Sequence, residues 1–131
     1  MHYSMNGNAD VSTPLLVLTD TRTASASEIV AAALRDNGRA VLLGTRTLGK
    51  NVAQAIMVLS SGSGLSFTIR SYVSPTGETM EHGIEPDYNT NGAKIPLEDI
   101  RWNGEQKIWS IGNKTLGDLY VASSSVSKIK K

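Results

Sequence analysis

Three polar residues between Thr23 and Gln54 have types and positions that could do chemistry: Ser25, Lys50 and Gln54. A serine hydroxyl is a weak nucleophile until a neighbouring base takes its proton. Ser25 opens the run Ser25-Ala26-Ser27-Glu28, the pattern of a capping box, so it falls where a helix should begin. The first backbone N–H groups of a helix lack partners inside it, and the helix dipole there favours negative charge. The Ala26 amide, next after the serine, is the natural donor to an oxyanion, and one well-placed donor is worth about 3 kcal/mol. Lysine serves as a base when burial disfavours its charged form. Lys50, following Gly49 in a polar loop, is the candidate. Gln54 could orient the Lys50 amine or simply cap a strand edge. Plainer roles exist for each residue: a serine in a capping box is most often only a cap, and a loop lysine is most often a solvated charge.

The flanking pattern supplies elements able to bring these residues together. Pro14 introduces Leu15-Leu16-Val17-Leu18, a short continuous apolar run that suits a strand covered on both faces. Helical spacing of Ala26, Ile29, Val30, Ala33 and Leu34 follows, with Asn37-Gly38 as the stop. Ala40 to Leu43, closed by Gly44, is a second buried strand. Strand, helix and strand with short joints make a βαβ unit. Parallel neighbouring strands end on one side of their sheet, so the Thr45–Asn51 loop can face the helix start that follows the first strand.

Further on, Val52–Leu59 and Leu65–Val73 read as strands joined through Ser60–Gly64, and alternation in the second predicts one wet face. Pro75-Thr76-Gly77 is a turn and Gly83–Asp87 an irregular segment. Ile100–Trp102, Asn103-Gly104 and a run to Trp109 predict a hairpin with a tight primed turn. Thr115–Ala122 forms a last short helix or strand. Met57 and Met80 read as packing residues. Residues 1–13 read as a polar lead-in, 14–122 as the folded part and 123–131 as a mobile basic tail.

Composition excludes several classes. The chain has 131 residues, enough for one domain, with 40% hydrophobic and 19% charged residues. A formal net charge of +1 makes no case for nucleic acid or an anionic membrane. The basic cluster Lys128, Lys130 and Lys131 reads as a solvated tail. Cysteine is absent, which removes thiol nucleophiles, disulfides and thiolate metal sites. With only His2 and His82, a histidine-rich metal site is not expected, and no cofactor is implied. No apolar run reaches the roughly 18 residues of a membrane span. The first residues are too polar for a signal peptide.

Four segments in order resemble the carboxy-terminal processing peptidases, also called tail-specific proteases: Thr-Ala-Ser-Ala-Ser-Glu-Ile (23–29), Asp-Asn-Gly-Arg-Ala-Val (36–41), Gly-Lys (49–50) with Gln54, and Gly-Ile-Glu-Pro-Asp (83–87). The resemblance runs from about Pro14 to Asp87. It implies that Ser25, the first serine of Ser-Ala-Ser-Glu, is the nucleophile, and that Lys50, 25 positions downstream, is the general base. That spacing selects Ser25 over Ser27. Gln54 meets the family position that orients the lysine. The implied fold is α/β and crotonase-like (ClpP/crotonase), built of ββα turns, with residues 14–122 as the C-terminal part of a catalytic domain. Two positions depart from the family pattern: Asn51 replaces a second glycine, and Thr45 replaces an acidic residue.

Nothing before Pro14 resembles the PDZ-type peptide-binding domain of the family, or the glycine-rich turn that supplies its second oxyanion donor. Losing one donor removes about 10²–10³-fold of rate. The expectation is therefore a partial catalytic domain, weakly active or inactive alone, that takes a polypeptide substrate and self-associates through exposed sheet edges. The family resemblance also implies an extracytoplasmic location, in periplasm, cell envelope or as a secreted protein. A non-catalytic peptide-binding module of the same fold is the alternative, and a crotonase-like acyl-CoA enzyme would share the fold but not these motifs. His82 beside Glu81, Glu85 and Asp87 is the weaker candidate for a base.

Overall fold

A computed structural model describes Asp10 and residues 12–116. Its centre is a parallel sheet of three strands in the order β1 (Leu15–Thr19), β2 (Ala40–Gly44), β5 (Tyr88–Asn89), with α1 (Ala26–Asp36) linking the first two. Leu15 pairs with Ala40 and the register runs on to Thr19 with Gly44, so both strands end together. That shared end matters because the serine turn leaves β1 there and the lysine loop leaves β2. The Thr45 N–H donates to the Thr19 carbonyl at 3.0 Å, and the Thr19 hydroxyl donates to the Thr45 carbonyl at 3.0 Å. The predicted βαβ unit is present, and the short parallel strand β5, which directly follows the predicted irregular segment Gly83–Asp87, is an addition to the expected elements. Tyr88-Asn89 is too short for any periodicity and is made a strand by its pairing with Leu43 and Gly44.

β2 is the buried centre, with Leu42 fully covered. Ala31, Ala32, Leu42, Met80 and Ile84 form the core, with Val17, Ile29 and Tyr72 packed against it. Two expectations change here. The helix buries Glu28, Ala31 and Ala32, while Val30 is 57% exposed, so the covered face is rotated from the predicted one. β1 is an edge strand only half-buried, with Leu18 exposed, rather than a strand covered on both faces.

β3 (Val52–Val58) and β4 (Gly64–Ser71) form a separate antiparallel ribbon with a register shift between Ala53 and Gln54. Every residue of β4 is exposed, so the predicted dry face is not buried by any described residue. Met57 lies on the ribbon and is exposed, whereas Met80 is in the core as predicted. The Val73–Thr79 bridge closes the turn through Pro75-Thr76-Gly77.

A 3-10 turn (Leu97–Asp99) leads into a meander of β6 (Ile100–Asn103), β7 (Ile108–Ile111) and β8 (Lys114–Leu116). The hairpin is present, but Asn103-Gly104 is not a two-residue primed turn. Asn103 pairs with Ile108 as the last residue of β6, and its side-chain oxygen accepts the N–H groups of Glu105 and Gln106 at 3.0 Å each. The asparagine therefore caps a longer loop from within the strand. Trp102 and Trp109 pair across the strands with ring centroids 5.3 Å apart. Thr115-Leu116 resolves as strand, and the rest of the stretch to Ala122, like the basic tail and most of residues 1–13, lies outside the described residues. No helix among the described residues is long and apolar enough to cross a membrane.

Candidate active site

The serine turn begins at Asp20. Its carboxylate accepts the Arg22 N–H at 2.9 Å and the Thr23 N–H at 3.0 Å. Those bonds, with the Arg22 guanidinium beside them, hold the Asp20 carboxyl below its ordinary value; the Arg22 N–H is the largest cause. The chain then enters α1 at Ser25, which has φ 56° and ψ −123°. A positive φ is uncommon for a residue with a Cβ, and such strain concentrates where surrounding structure enforces it, functional sites above all. A sharp strand-to-helix turn with a strained serine is how other hydrolase folds present a nucleophile. Because α1 starts at Ala26, the Ala26 amide is among the helix's unpaired first donors, as the sequence predicts.

Glu28 enforces the turn. It is 1% exposed, although an acidic residue in a first helical turn is ordinarily solvated. Its Oε2 accepts the Ser25 N–H at 2.8 Å, which is the predicted reach-back, and also the Lys50 N–H at 2.8 Å. Its Oε1 accepts the Gly49 N–H at 2.7 Å and the Thr47 hydroxyl. One carboxylate thus binds the serine turn and the lysine loop together. Ser25 N and Lys50 N share an acceptor, so they lie no more than twice 2.8 Å apart. The Leu48 N–H adds a direct link by donating to the Thr23 carbonyl at 2.9 Å.

The predicted residues are therefore only partly brought together. Ser25, Ala26 and Lys50 converge at the end of the parallel sheet. Lys50 is exposed, so the burial that the base role calls for is not supplied by the described residues. Gln54 is exposed on β3, at the register shift, three residues beyond the clamped loop. A shift of this kind re-aims side chains, and such bulges are over-represented beside active sites. His82 is largely exposed, with Glu81 at 3.4 Å as its partner. Among the described residues no group of three or more His, Cys, Asp or Glu could hold a metal.

Sequence reasoning gave Glu28 half of its role and gave Thr47 none. Thr47 is buried; its hydroxyl donates to Glu28 and accepts the Ile84 N–H at 2.7 Å. The available signal was indirect: a loop that is to place Lys50 rigidly must find acceptors for its own amides. An open groove of about 470 Å³, lined by Val17, Leu18, Thr23, Ala26, Ser27 and Val30, runs beside α1 from the residue that follows Ser25.

A strained serine at a helix start, tied to a lysine loop, is an arrangement suited to hydrolysis through a hydroxyl nucleophile. Comparison with known proteins gives the family. The family model of Peptidase family S41 matches residues 1–90, and the chain belongs to that family. It is 41% identical over 98 residues to the chloroplastic C-terminal processing peptidase of Tetradesmus obliquus, covering 73% of this chain and 21% of that protein. It is 44% identical over 126 residues to the carboxyl-terminal-processing protease of a Synechocystis strain, covering 95% of this chain and 30% of that one. Among solved structures it is similar to a photosystem II D1 C-terminal processing protease, with a TM-score of 0.64 and 42% identity, over 72% of this chain and 25% of that one. The chain spans less than a third of the length of these relatives.

Proposed function

We propose that this chain carries the nucleophile and base of a serine endopeptidase that cleaves C-terminal tails of unstructured or partly unfolded polypeptides, on a crotonase-like fold. The observation that supports it most is the Glu28 carboxylate shared by the Ser25 and Lys50 amides. Ser25 Oγ attacks the scissile carbonyl carbon while Lys50 Nζ takes the hydroxyl proton. The Ala26 N–H receives the oxyanion of the tetrahedral intermediate. Collapse breaks the C–N bond, the leaving amine takes the proton back from Lys50, and Ser25 is left acylated. Water then attacks the ester, giving its proton to Lys50, which returns it to Ser25 as the shortened polypeptide leaves with its new C-terminal carboxylate; the tail has already departed as the leaving amine. Gln54 orients the Lys50 amine. Apolar lining of the groove beside Ala26 suits an apolar substrate side chain next to the cleaved bond.

The short span relative to the relatives supports a site completed by further polypeptide, a PDZ-type domain included, with weak or no activity without it. The edge of β1, which no described residue pairs, and the apolar ribbon support self-association. The chloroplastic relatives are in keeping with work outside the cytosol. A fluorophosphonate that esterifies active serines tests the chemistry. Wild type is expected to label at Ser25, Ser25→Ala not at all, and Lys50→Ala at least about 10²-fold more slowly. Wild-type labelling rates in Lys50→Ala would refute the base.

A second reading is favoured by the exposure of Lys50 and Gln54: a non-catalytic peptide-binding member of the same family. It requires that no serine label while an unfolded polypeptide still binds.

A further inference from the structure

The loop carrying Lys50 is pressed backbone to backbone against the turn Met80–Ile84. Gly49 has φ +88°, and a Cβ there would stand 2.5 Å from the Glu81 carbonyl oxygen and 2.6 Å from the Gly83 nitrogen. Gly83 has φ +77°, and its Cβ would stand 2.2 Å from the Thr47 carbonyl oxygen. Two glycines thus interlock, each with no room for a side chain because the other loop's backbone fills the space. Hydrogen bonds reinforce the fit. The Thr47 N–H donates to the Ile84 carbonyl at 3.1 Å, and the Ile84 N–H donates to the Thr47 hydroxyl at 2.7 Å. That hydroxyl donates in turn to Glu28. Met80 and Ile84 anchor the turn in the core beside Leu42.

We propose that the Met80–Ile84 turn is a positioning element for Lys50, fixing its loop through the Gly49–Gly83 interlock and the Ile84–Thr47–Glu28 hydrogen-bond chain. This rests on the Ser25–Lys50 reading above. The turn touches neither reacting atom; it acts through the Lys50 backbone. An exposed lysine has many rotamers, so the direction of approach must come from where its Cα is held. A displacement of about 1 Å at such a position is enough to cost 10²-fold in rate.

Two alanines separate contact from backbone strain. Gly77 has a similar φ, +87°, with nothing within 4 Å of its Cβ position, whereas a Cβ on Gly83 would strike the Thr47 carbonyl. In the intact protein, Gly83→Ala is expected to lower kcat by about 10²-fold with KM within about twofold. The pH dependence of Ser25 acylation should shift as well, because the amine's surroundings change. Gly77→Ala should keep the wild-type rate and profile. A folded Gly83→Ala protein with wild-type rate and pH profile overturns the proposal. If Gly83→Ala does not fold, replacing Ile84 by its α-hydroxy acid removes only the N–H given to Thr47. About a tenfold loss of acylation rate is then expected, and none overturns the proposal. The Lys50 amide resonance gives a readout free of activity. If wild type fails to acylate while these changes still move that resonance, the dyad reading falls and the positioning link stands. If wild type acylates and neither change alters its rate, the positioning link falls.

Discussion

β2 and the β3–β4 ribbon both carry branched apolar residues along their strands and end in opposite environments. Leu42 in β2 is fully covered, while Ile56 and Val58 in β3 are 77% and 75% exposed. β2 has a strand on each side and α1 over it; among the described residues the ribbon has two strands and no layer packed over it. Apolar sequence makes both into strands, but only a second layer turns a strand into core. The site straddles this divide. Ser25, Ala26 and Lys50 hang from the end of the self-sufficient layer, tied by Glu28. Gln54 hangs from the ribbon. The end of the site that holds Ser25, the proposed nucleophile, is therefore fixed by contacts within the described residues, and Gln54, proposed to orient the base, is not.

The largest test of the fixed half is Glu28. Glu28→Ala leaves the part-buried Ser25, Gly49 and Lys50 amides and the buried Thr47 hydroxyl without their acceptor. A buried orphan costs roughly 1–3 kcal/mol and a part-buried one less, so a loss of about 3–5 kcal/mol is expected in urea unfolding, against the 5–15 kcal/mol of an ordinary domain. A loss under about 1 kcal/mol would show that the clamp does not hold in solution. The next test compares the two regions directly. Leu42→Ala should cost about 2–5 kcal/mol, and Ile56→Ala no more than about 0.5 kcal/mol. Equal costs would mean that the ribbon is covered in solution. Self-association is one way to cover it: light scattering should show species larger than a monomer, and Ile56→Lys with Val58→Lys should return it to monomer. A monomer at every concentration would remove that explanation.

The two regions also differ in how much of them could be read from sequence. Around β1, α1 and β2 the capping box, the Asn37-Gly38 stop and the short apolar runs all agree, and the elements appear within a residue of their expected bounds. Chain order alone placed Ser25 and Lys50 on one side of the sheet, because parallel neighbours end together. Burial was less legible. Nothing in Ser25-Ala26-Ser27-Glu28 says that the glutamate turns inward, since its fate depends on Thr47, Gly49 and Lys50 arriving from another strand. Tyr88-Asn89 carries no periodicity and becomes a strand only by meeting β2. For the ribbon, alternation predicted a dry face, but alternation reports which residues share a face and not whether anything covers it. Asn103-Gly104 failed differently: the dipeptide favours a primed turn, and the asparagine was used instead to cap a longer loop.

The smallest effect expected is on acid sensitivity, and it separates the same two regions. Between Val52 and Val73 the only charged residue is Arg70, so the ribbon has no carboxylate to titrate. The serine turn has Asp20, held below its ordinary 3.8 chiefly by the Arg22 N–H, and the strand-end side has Glu85, held below its ordinary 4.5 chiefly by the Asn89 side chain and next by Arg46. A carboxyl depressed in the folded state stabilises that state fully above its ordinary value. The contribution is then lost as pH falls through the depressed value. Order at Thr23 should therefore be level from neutral pH down to about those ordinary values and decline below them. Both carboxylates are exposed, so the decline should be shallow and further weakened by salt. Amide exchange read at Thr23 and at Phe67, in wild type and Asp20→Asn, checks this: the variant should differ from wild type at Thr23 near neutral pH and converge with it in acid, while Phe67 should be indifferent to the substitution throughout. Convergence at Thr23 already at neutral pH would mean that Asp20 does not hold the turn. A matching response at Phe67 would mean that ribbon and serine turn open as one unit, and the division between them would have to be given up.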